Sequence, residues 1–266
     1  VEAVPASISV FYRFLLAALL LQGFCLLRRQ NMGYGLSDHG FLALQGICLF
    51  GLNYWLFYIS ANFLTSGLMA LIFSTIVIMN MINGWIWFGT QMELKMIGGA
   101  LMGLSGLSLV FWPELLGVES GTGIITGLLL AFSATYLSSL GNIVSVRNQR
   151  RGIPVLHANA YGMTCGSLTM LLITIISGEE WVFDWSPEFL LSLIFLSVFA
   201  SVVGFWSYLT LLGRVGADRG AYATLLFPVV ALGISALVED YRWTLISASG
   251  VVLILLGNFL ILKRVS

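Results

Sequence analysis

Composition, hydropathy and loop charge predict an all-α polytopic membrane protein: a ten-helix bundle of two inverted five-helix repeats, of which this chain carries nine transmembrane helices. The 266 residues are 59% hydrophobic and 9% charged, with a mean hydropathy of +0.97. A soluble domain carries about 25% charged residues, so this chain lacks the polar surface to face water and must be solvated by lipid. The 12 basic and 12 acidic residues cancel, and only Lys95 and Lys263 are lysines. No broad cationic face exists for nucleic acid, which is excluded as a partner. Cys25, Cys48 and Cys165 sit in apolar runs without CxxC spacing, as small packing residues rather than a disulfide or metal framework.

A helix needs about 20 mostly apolar residues to cross the hydrocarbon core, and nine stretches meet that need. The first, Ser7 to Leu27, follows Pro5 and holds one charged residue, Arg13. Phe41 to Asn62, Gly67 to Phe88 and Met96 to Trp112 complete the first half. The second half holds Gly123 to Ser145, Pro154 to Ser177, Phe189 to Leu212, Ala221 to Val238 and Thr244 to Leu262. Their connections are short and polar, so function is expected inside the bundle. No Asp or Glu falls within these spans, which removes the carboxylate relay of a proton-coupled carrier from the visible helices.

Orientation follows from Lys and Arg, which are retained on the cytoplasmic side. Arg28 and Arg29, Lys95, Arg147 with Arg150 and Arg151, Arg214 with Arg219, and Lys263 with Arg264 mark every second connection. The intervening connections hold Asn62 to Ser66, Glu114 with Glu119, the acidic run Gly178 to Glu188, and Glu239-Asp240-Tyr241-Arg242. The C-terminus is therefore expected in the cytoplasm and Val1 outside, which calls for one further helix upstream. Sliding the chain by 151 positions superposes Trp55 on Trp206, Ala70 on Ala221, Gly99 on Gly250 and Gly106 on Gly257. Five spans per half gives the same missing first helix. An odd number inverts the second half, an architecture common among secondary transporters.

Several stretches carry a family resemblance. They are Phe11-Tyr12-Arg13-Phe14-Leu15-Leu16-Ala17-Ala18 and Thr65-Ser66-Gly67-Leu68-Met69-Ala70-Leu71-Ile72-Phe73-Ser74 in the first half. The second half has Gly220-Ala221-Tyr222-Ala223-Thr224-Leu225-Leu226-Phe227-Pro228, Val238-Glu239 and Gly250 to Gly257. In order and spacing the chain resembles the drug/metabolite transporter superfamily, specifically EamA-type proteins. The resemblance implies a first EamA-type repeat over 1–112, a second over 122–264, and export or exchange of small metabolites through a central cavity. Val77 stands where the second half has Pro228, so a proline-associated bend is not expected in the third visible helix.

Candidate binding residues are those whose burial in lipid carries a cost. Arg13 lies eight residues beyond Pro5, about 12 Å into its span at 1.5 Å per residue. A cation at a helix centre costs about 2.5 to 3.5 kcal/mol on insertion scales. It reads either as a contact for a carboxylate or other anion, or as a structural arginine snorkelling to the interface. Asn80 and Asn83 share a face with Ile76 and Trp87 and offer donors and acceptors to an amino-acid-like or heterocyclic substrate, or to a neighbouring helix. Asn53 and the face Thr135, Ser139 and Asn142 read the same way; Gln45 and Asn258 are weaker. Trp85, Trp87, Trp112, Trp181, Trp185 and Trp243 fall at span ends as interfacial anchors. Trp55 and Trp206 lie within spans and, with Tyr54, Phe57, Phe205 and Tyr208, form either a substrate-stacking wall or ordinary packing. Tyr136 lies mid-span in the helix corresponding to the missing one, and His157 reads as interfacial. Glycines 99, 103, 250 and 257 read as close helix contacts.

The residues thus point to a secondary transporter of the bacterial inner membrane, multi-pass, moving amino acids, related metabolites or drugs by alternating access as an exporter or exchanger. A nucleotide-sugar or nucleobase carrier is the alternative, disfavoured by the shortage of interior Lys and Arg for phosphates. An intramembrane enzyme is remote, because no catalytic or metal-ligand cluster is visible. No cofactor is expected. The lipid bilayer and a small-molecule substrate are the expected partners, with proton coupling and homodimerisation left open.

Overall fold

The computed structural model describes residues 4–112, 122–227, 229–230 and 244–262. Pro228, Val238, Glu239, Trp243, Glu114, Glu119, Lys263 and Arg264, which enter the arguments above, lie outside them. The described residues fold as helices α1 (Ala6–Leu27), α2 (Leu36–Ser60), α3 (Ser66–Phe88), α4 (Leu94–Val110), α5 (Thr122–Arg150), α6 (Val155–Ser177), α7 (Pro187–Val215), α8 (Ala217–Gly220) and α9 (Leu245–Leu262). Six of these, α1, α2, α3, α5, α6 and α7, are long and apolar enough to cross a membrane, while α4 and α9 are shorter apolar helices.

Local chemistry sets most helix limits. Pro5 and Pro154 precede α1 and α6, where a missing N–H removes no helix bond. The Thr65 side chain accepts from the Leu68 N–H at the start of α3, and Ser186 accepts from Phe189 at the start of α7, with Pro187 in its first turn. Gly89 (φ 64°) and Gly178 (φ 65°) end α3 and α6 in the left-handed region that glycine enters without a Cβ penalty.

Two helix limits differ most from expectation, and one helix is interrupted. Helix α2 begins at Leu36 rather than Phe41, so Asp38 lies in its first turn. Helix α5 runs on to Arg150, which places Arg147 in the helix rather than the loop. The reason is mutual: Arg147 Nη1 bonds Asp38 Oδ1 at 2.7 Å and its guanidinium lies 3.8 Å from the centroid of Phe41. Helix α3 breaks at Thr75 without a proline, since the Thr75 N–H and Oγ1 both bond the Ile72 carbonyl, at 3.0 and 2.6 Å.

The helices form two compact units. The first comprises 1–58 and 137–214, the second 59–136 and 215–266, so each draws on both halves of the chain. In the first unit α1 packs along α6, and a π-helical stretch of α2, Ile47–Leu52, packs on α6 as well. Gly46 and Gly162 permit that approach, and Phe50 and Phe14 are fully buried beside it. A second π-helical stretch, Leu196–Gly204, lies in α7 against α1. The second unit centres on α4 crossing α9. A Cβ built on Gly106 would stand 2.5 Å from the Gly250 carbonyl oxygen, and one on Gly257 2.7 Å from that of Gly99. The expected close glycine contacts therefore form at backbone distance. Tyr222, in the 3₁₀ turn Ala221–Leu225 after α8, donates to the Met96 carbonyl at 2.6 Å. Just outside α4, the hydrogen bond from Lys95 and the charge of Arg219 hold the Glu93 carboxyl below the ordinary carboxylate range.

Trp85, Trp87, Trp112, Trp181 and Trp185 are all exposed, as interfacial anchors require. For Trp87 this corrects the shared face: Ile76, Asn80 and Asn83 are buried, but Trp87 is 64% exposed. Cys25, Cys48 and Cys165 are free thiols.

Candidate functional site

The site is built around Arg13. Helix α1 carries it two turns in from Pro5, where an isolated cation would face hydrocarbon. Its Nε donates to Ser201 Oγ at 2.8 Å, and Ser197 Oγ donates to the Arg13 carbonyl at 3.0 Å. Both serines belong to the π-helical stretch of α7 and are fully buried. The guanidinium carbon lies 5.2 Å from the Phe14 ring centroid and 5.3 Å from that of Tyr54, within cation–π range. No carboxylate pairs with it among the described residues. Instead Arg13 lines a cavity of about 270 Å³ with Ser9, Val10, Tyr58, Phe189, Ser192, Leu193 and Leu196. That is near the lower end of the roughly 300–1,000 Å³ usual for small-molecule sites. The cavity thus sets one cation beside hydroxyls and an apolar wall.

A second polar group lies in the same unit. Asn53 of α2 donates to Ser138 Oγ of α5 at 3.1 Å, and Asn142, one turn further along α5, donates to the Tyr208 hydroxyl of α7 at 3.1 Å. Asn53 Oδ1 and Asn142 Oδ1 are buried and meet no donor among the described residues. Asn53 and Tyr208 are thus brought together through α5. Thr135 bonds its own helix at the Ala131 carbonyl. Nearer the basic end, Asn148 donates to Gln45 Oε1 at 2.9 Å, and Arg147 to Asn148 Oδ1 at 3.0 Å. Gln45, weak as a candidate, is therefore the centre of a buried amide network.

The remaining candidates separate. The ring stack that forms joins Phe14 to Phe50, Tyr54 to Phe14 and Phe205 to Phe50, at centroid distances of 5.4, 5.0 and 4.9 Å. Neither Trp55, half-buried, nor Trp206, 48% exposed, joins a ring contact among the described residues, so the aromatic cluster lies inward of both indoles. In the second unit Asn80 donates to the Ala217 carbonyl at 3.2 Å, its Oδ1 meets no donor among the described residues, and Asn83 is buried. Tyr136 is 47% exposed. Asn258 bonds its own helix at Ile254.

His157, in the first turn of α6, is buried. Its Nδ1 shares a hydrogen bond with the Tyr34 hydroxyl and its Nε2 bonds Gln30 Oε1 at 2.7 Å, pinning the α1–α2 connection to α6. Sequence reasoning missed Ser197 and Ser201, although two hydroxyls four apart in the run Leu196–Gly204 mark one helix face. Tyr58 and Ser192 carried no comparable signal.

The described residues are helical, with six apolar helices of membrane length and a small amphipathic cavity in one unit, the make-up of a multi-pass membrane protein. The EamA-like transporter family matches residues 1–112 and 125–263, and the chain belongs to that family. It is 28% identical over 208 residues to the uncharacterized transporter YvbV of Bacillus subtilis, covering 76% of this chain and 66%, just under two thirds, of that protein. Protein PagO of Salmonella typhimurium is 23% identical over 269 residues, covering 98% of this chain and 85% of its own. A probable amino-acid metabolite efflux pump of Escherichia coli is 27% identical over 212 residues, covering 73% and 67%. Among the solved structures that match, a crystal structure with a TM-score of 0.81 at 16% identity, over 97% of this chain and 88% of that one, shows a shared fold.

Proposed function

We propose that the chain is a secondary transporter that exports or exchanges small amino-acid-like metabolites across the bacterial cytoplasmic membrane, with Arg13 as the contact for the substrate's carboxylate. The observation that carries this reading is Arg13 itself: a cation inside a membrane helix, without an acid partner among the described residues, at the wall of a small cavity. The name of the Escherichia coli relative agrees with that substrate class. Asn53, Tyr208, Trp55 and Trp206 of the first unit and, separately, Asn80, Asn83 and Tyr136 of the second are the further candidate substrate contacts.

Transport proceeds by alternating access between inverted repeats over 1–112 and 122–264, with the C-terminus in the cytoplasm. The starts of α2 and α7, α3 and α8, and α4 and α9 each lie 151 residues apart, the spacing at which the sequence aligns with itself. The π-helical stretches Ile47–Leu52 and Leu196–Gly204 overlap at the same offset. Gly99 meets Gly257, the counterpart of Gly106, and Gly106 meets Gly250, the counterpart of Gly99, the self-complementary pattern that a twofold axis requires. These coincidences support the repeat.

The test is transport by protein in proteoliposomes against pooled amino acids, purine bases and cationic drugs, with and without a pH gradient. Amino-acid movement lost in Arg13→Gln at normal expression is the expected result. Movement of bases or cations alone would sink the substrate class, and unchanged transport in the variant would leave Arg13 a structural role.

A further inference from the structure

We propose that the Arg13 cavity reads a carboxylate and an apolar tail and does not read an ammonium group, so that apolar monocarboxylates lacking an amine are ligands on a par with apolar amino acids. This rests on Arg13 being the substrate's anion contact and narrows what else the site recognises.

The argument is a charge inventory. Arg13 is the one charged residue among the described residues that line the cavity; the others are Ser9, Tyr58 and Ser192, with Val10, Phe189, Leu193 and Leu196 forming the apolar wall. Of the acids in the connection before α7 and in its first turn none lines the cavity, and Asp184 accepts from the Ser186 N–H and Oγ. Glu179 accepts from Ser7 Oγ, and Glu188 is exposed in the first turn of α7. Neither lines the cavity. An ammonium group entering it exchanges water for neutral hydroxyls, beside a guanidinium of the same sign. A desolvated charge is held well only when an opposite charge or a full set of hydrogen bonds replaces its water. The carboxylate meets that condition at Arg13, where a planar guanidinium offers a charge-assisted, two-pronged fit. The ammonium does not. The volume of about 270 Å³ and the branched and aromatic wall suit a tail the size of a leucine side chain.

Because a pocket rejects an analogue strongly only when it was built to bond the missing group, removing the amine should cost little and removing the carboxylate much. The measurement is binding to the purified chain in nanodiscs, using labelled leucine and labelled 4-methylpentanoate, with 3-methylbutylamine as competitor and protein-free nanodiscs as blank. Expected is an affinity for 4-methylpentanoate within about threefold of that for leucine, competition by the amine at least about thirtyfold weaker, and loss of both carboxylate ligands in Arg13→Gln. Arg13→Lys, which keeps the charge, retains measurable binding and separates loss of charge from loss of fold. Leucine binding more than about tenfold tighter than 4-methylpentanoate, or effective competition by the amine, overturns the proposal while leaving Arg13 as anion contact. Binding of both carboxylates that is indifferent to Arg13→Gln overturns the underlying reading as well, as does binding of neither.

Discussion

The seam between α2 and α6 offers a sharp test of how the first unit is held together, through a single methyl group placed at Gly46. A Cβ built there stands 2.1 Å from the Gly162 carbonyl oxygen and 2.8 Å from both its carbonyl carbon and its Cα. All three are backbone atoms of α6, so no side-chain rotation relieves the clash. To reach 3.0 Å, the closest approach real Cβ atoms make, the helices must part locally by about 0.9 Å. That displacement loosens Phe50, fully buried in the same seam, and stretches the Gln45 bond to Asn159 of α6, already 3.5 Å long. Overpacking a tight interior costs about 1–3 kcal/mol, and more where backbone must move. Removing a helical glycine returns about 1 kcal/mol of propensity. Gly46→Ala is therefore expected to destabilise by about 2 kcal/mol net, or roughly 4–8 °C in thermal unfolding for a chain of this size.

Gly40 is the matched control. It lies six residues earlier on the same helix, exposed, with nothing within 4 Å of a built Cβ, so Gly40→Ala should be neutral or raise the midpoint by about 2–4 °C. Unfolding of purified protein in one detergent, followed by tryptophan fluorescence, measures both. Equal midpoints for the two variants would refute the claim that backbone contact between α2 and α6 organises this unit.

Other expectations can be checked together. Asn148→Leu leaves Gln45 Oε1 buried without its donor and should cost about 1–2 kcal/mol, whereas Gln45→Leu added to it should cost little more; strictly additive losses would show that the two amides do not act as a pair. Asp38→Asn removes the charge facing Arg147 but leaves the Asn148 bond and the Phe41 ring in place, so a loss of about 1 kcal/mol or less is expected in thermal unfolding, and a much larger loss would mean the pair anchors α2 outright. Gly250→Leu drives a side chain into the Gly106 carbonyl and should abolish the fold of the α4–α9 unit, while Gly98→Ala, with only Leu260 at 3.8 Å, should be tolerated; gel filtration distinguishes them. A cysteine introduced as Arg151→Cys in a background without Cys25, Cys48 and Cys165 should react with an impermeant reagent only from the cytoplasmic side, and labelling from outside would reverse the proposed orientation.

Helical, membrane-embedded character and the position of most helices were legible in the residues alone, because each depends on local chemistry. A run of about 20 apolar residues must satisfy its own backbone in lipid and can do so only as a helix. Its ends are written by neighbours in sequence: Pro5, Thr65, Pro154 and Ser186 at starts, Gly89 and Gly178 at ends. The close glycines of α4 and α9 were legible for the same reason, since nothing else explains small residues at helical spacing in a fully apolar stretch. Arg13 stood out because a cation in hydrocarbon is costly whatever surrounds it.

What surrounds it was not legible. Ser201 is 188 residues from Arg13, Ser138 is 85 from Asn53, and Asn148 is 103 from Gln45. Such pairings depend on how far each helix is rotated about its own axis and where it crosses its neighbour, and those are settled by interdigitation of side chains across the whole unit rather than by any local preference. The π-helical turns in α2 and α7 belong to the same category: each shifts the face that Asn53 or Trp206 presents, and hydropathy is blind to a one-residue change of phase. The extension of α5 through Arg147 likewise needed Asp38 and Phe41 from another helix. Helices were set by the solvent each residue requires, and the site by the packing that brings distant helices to one depth.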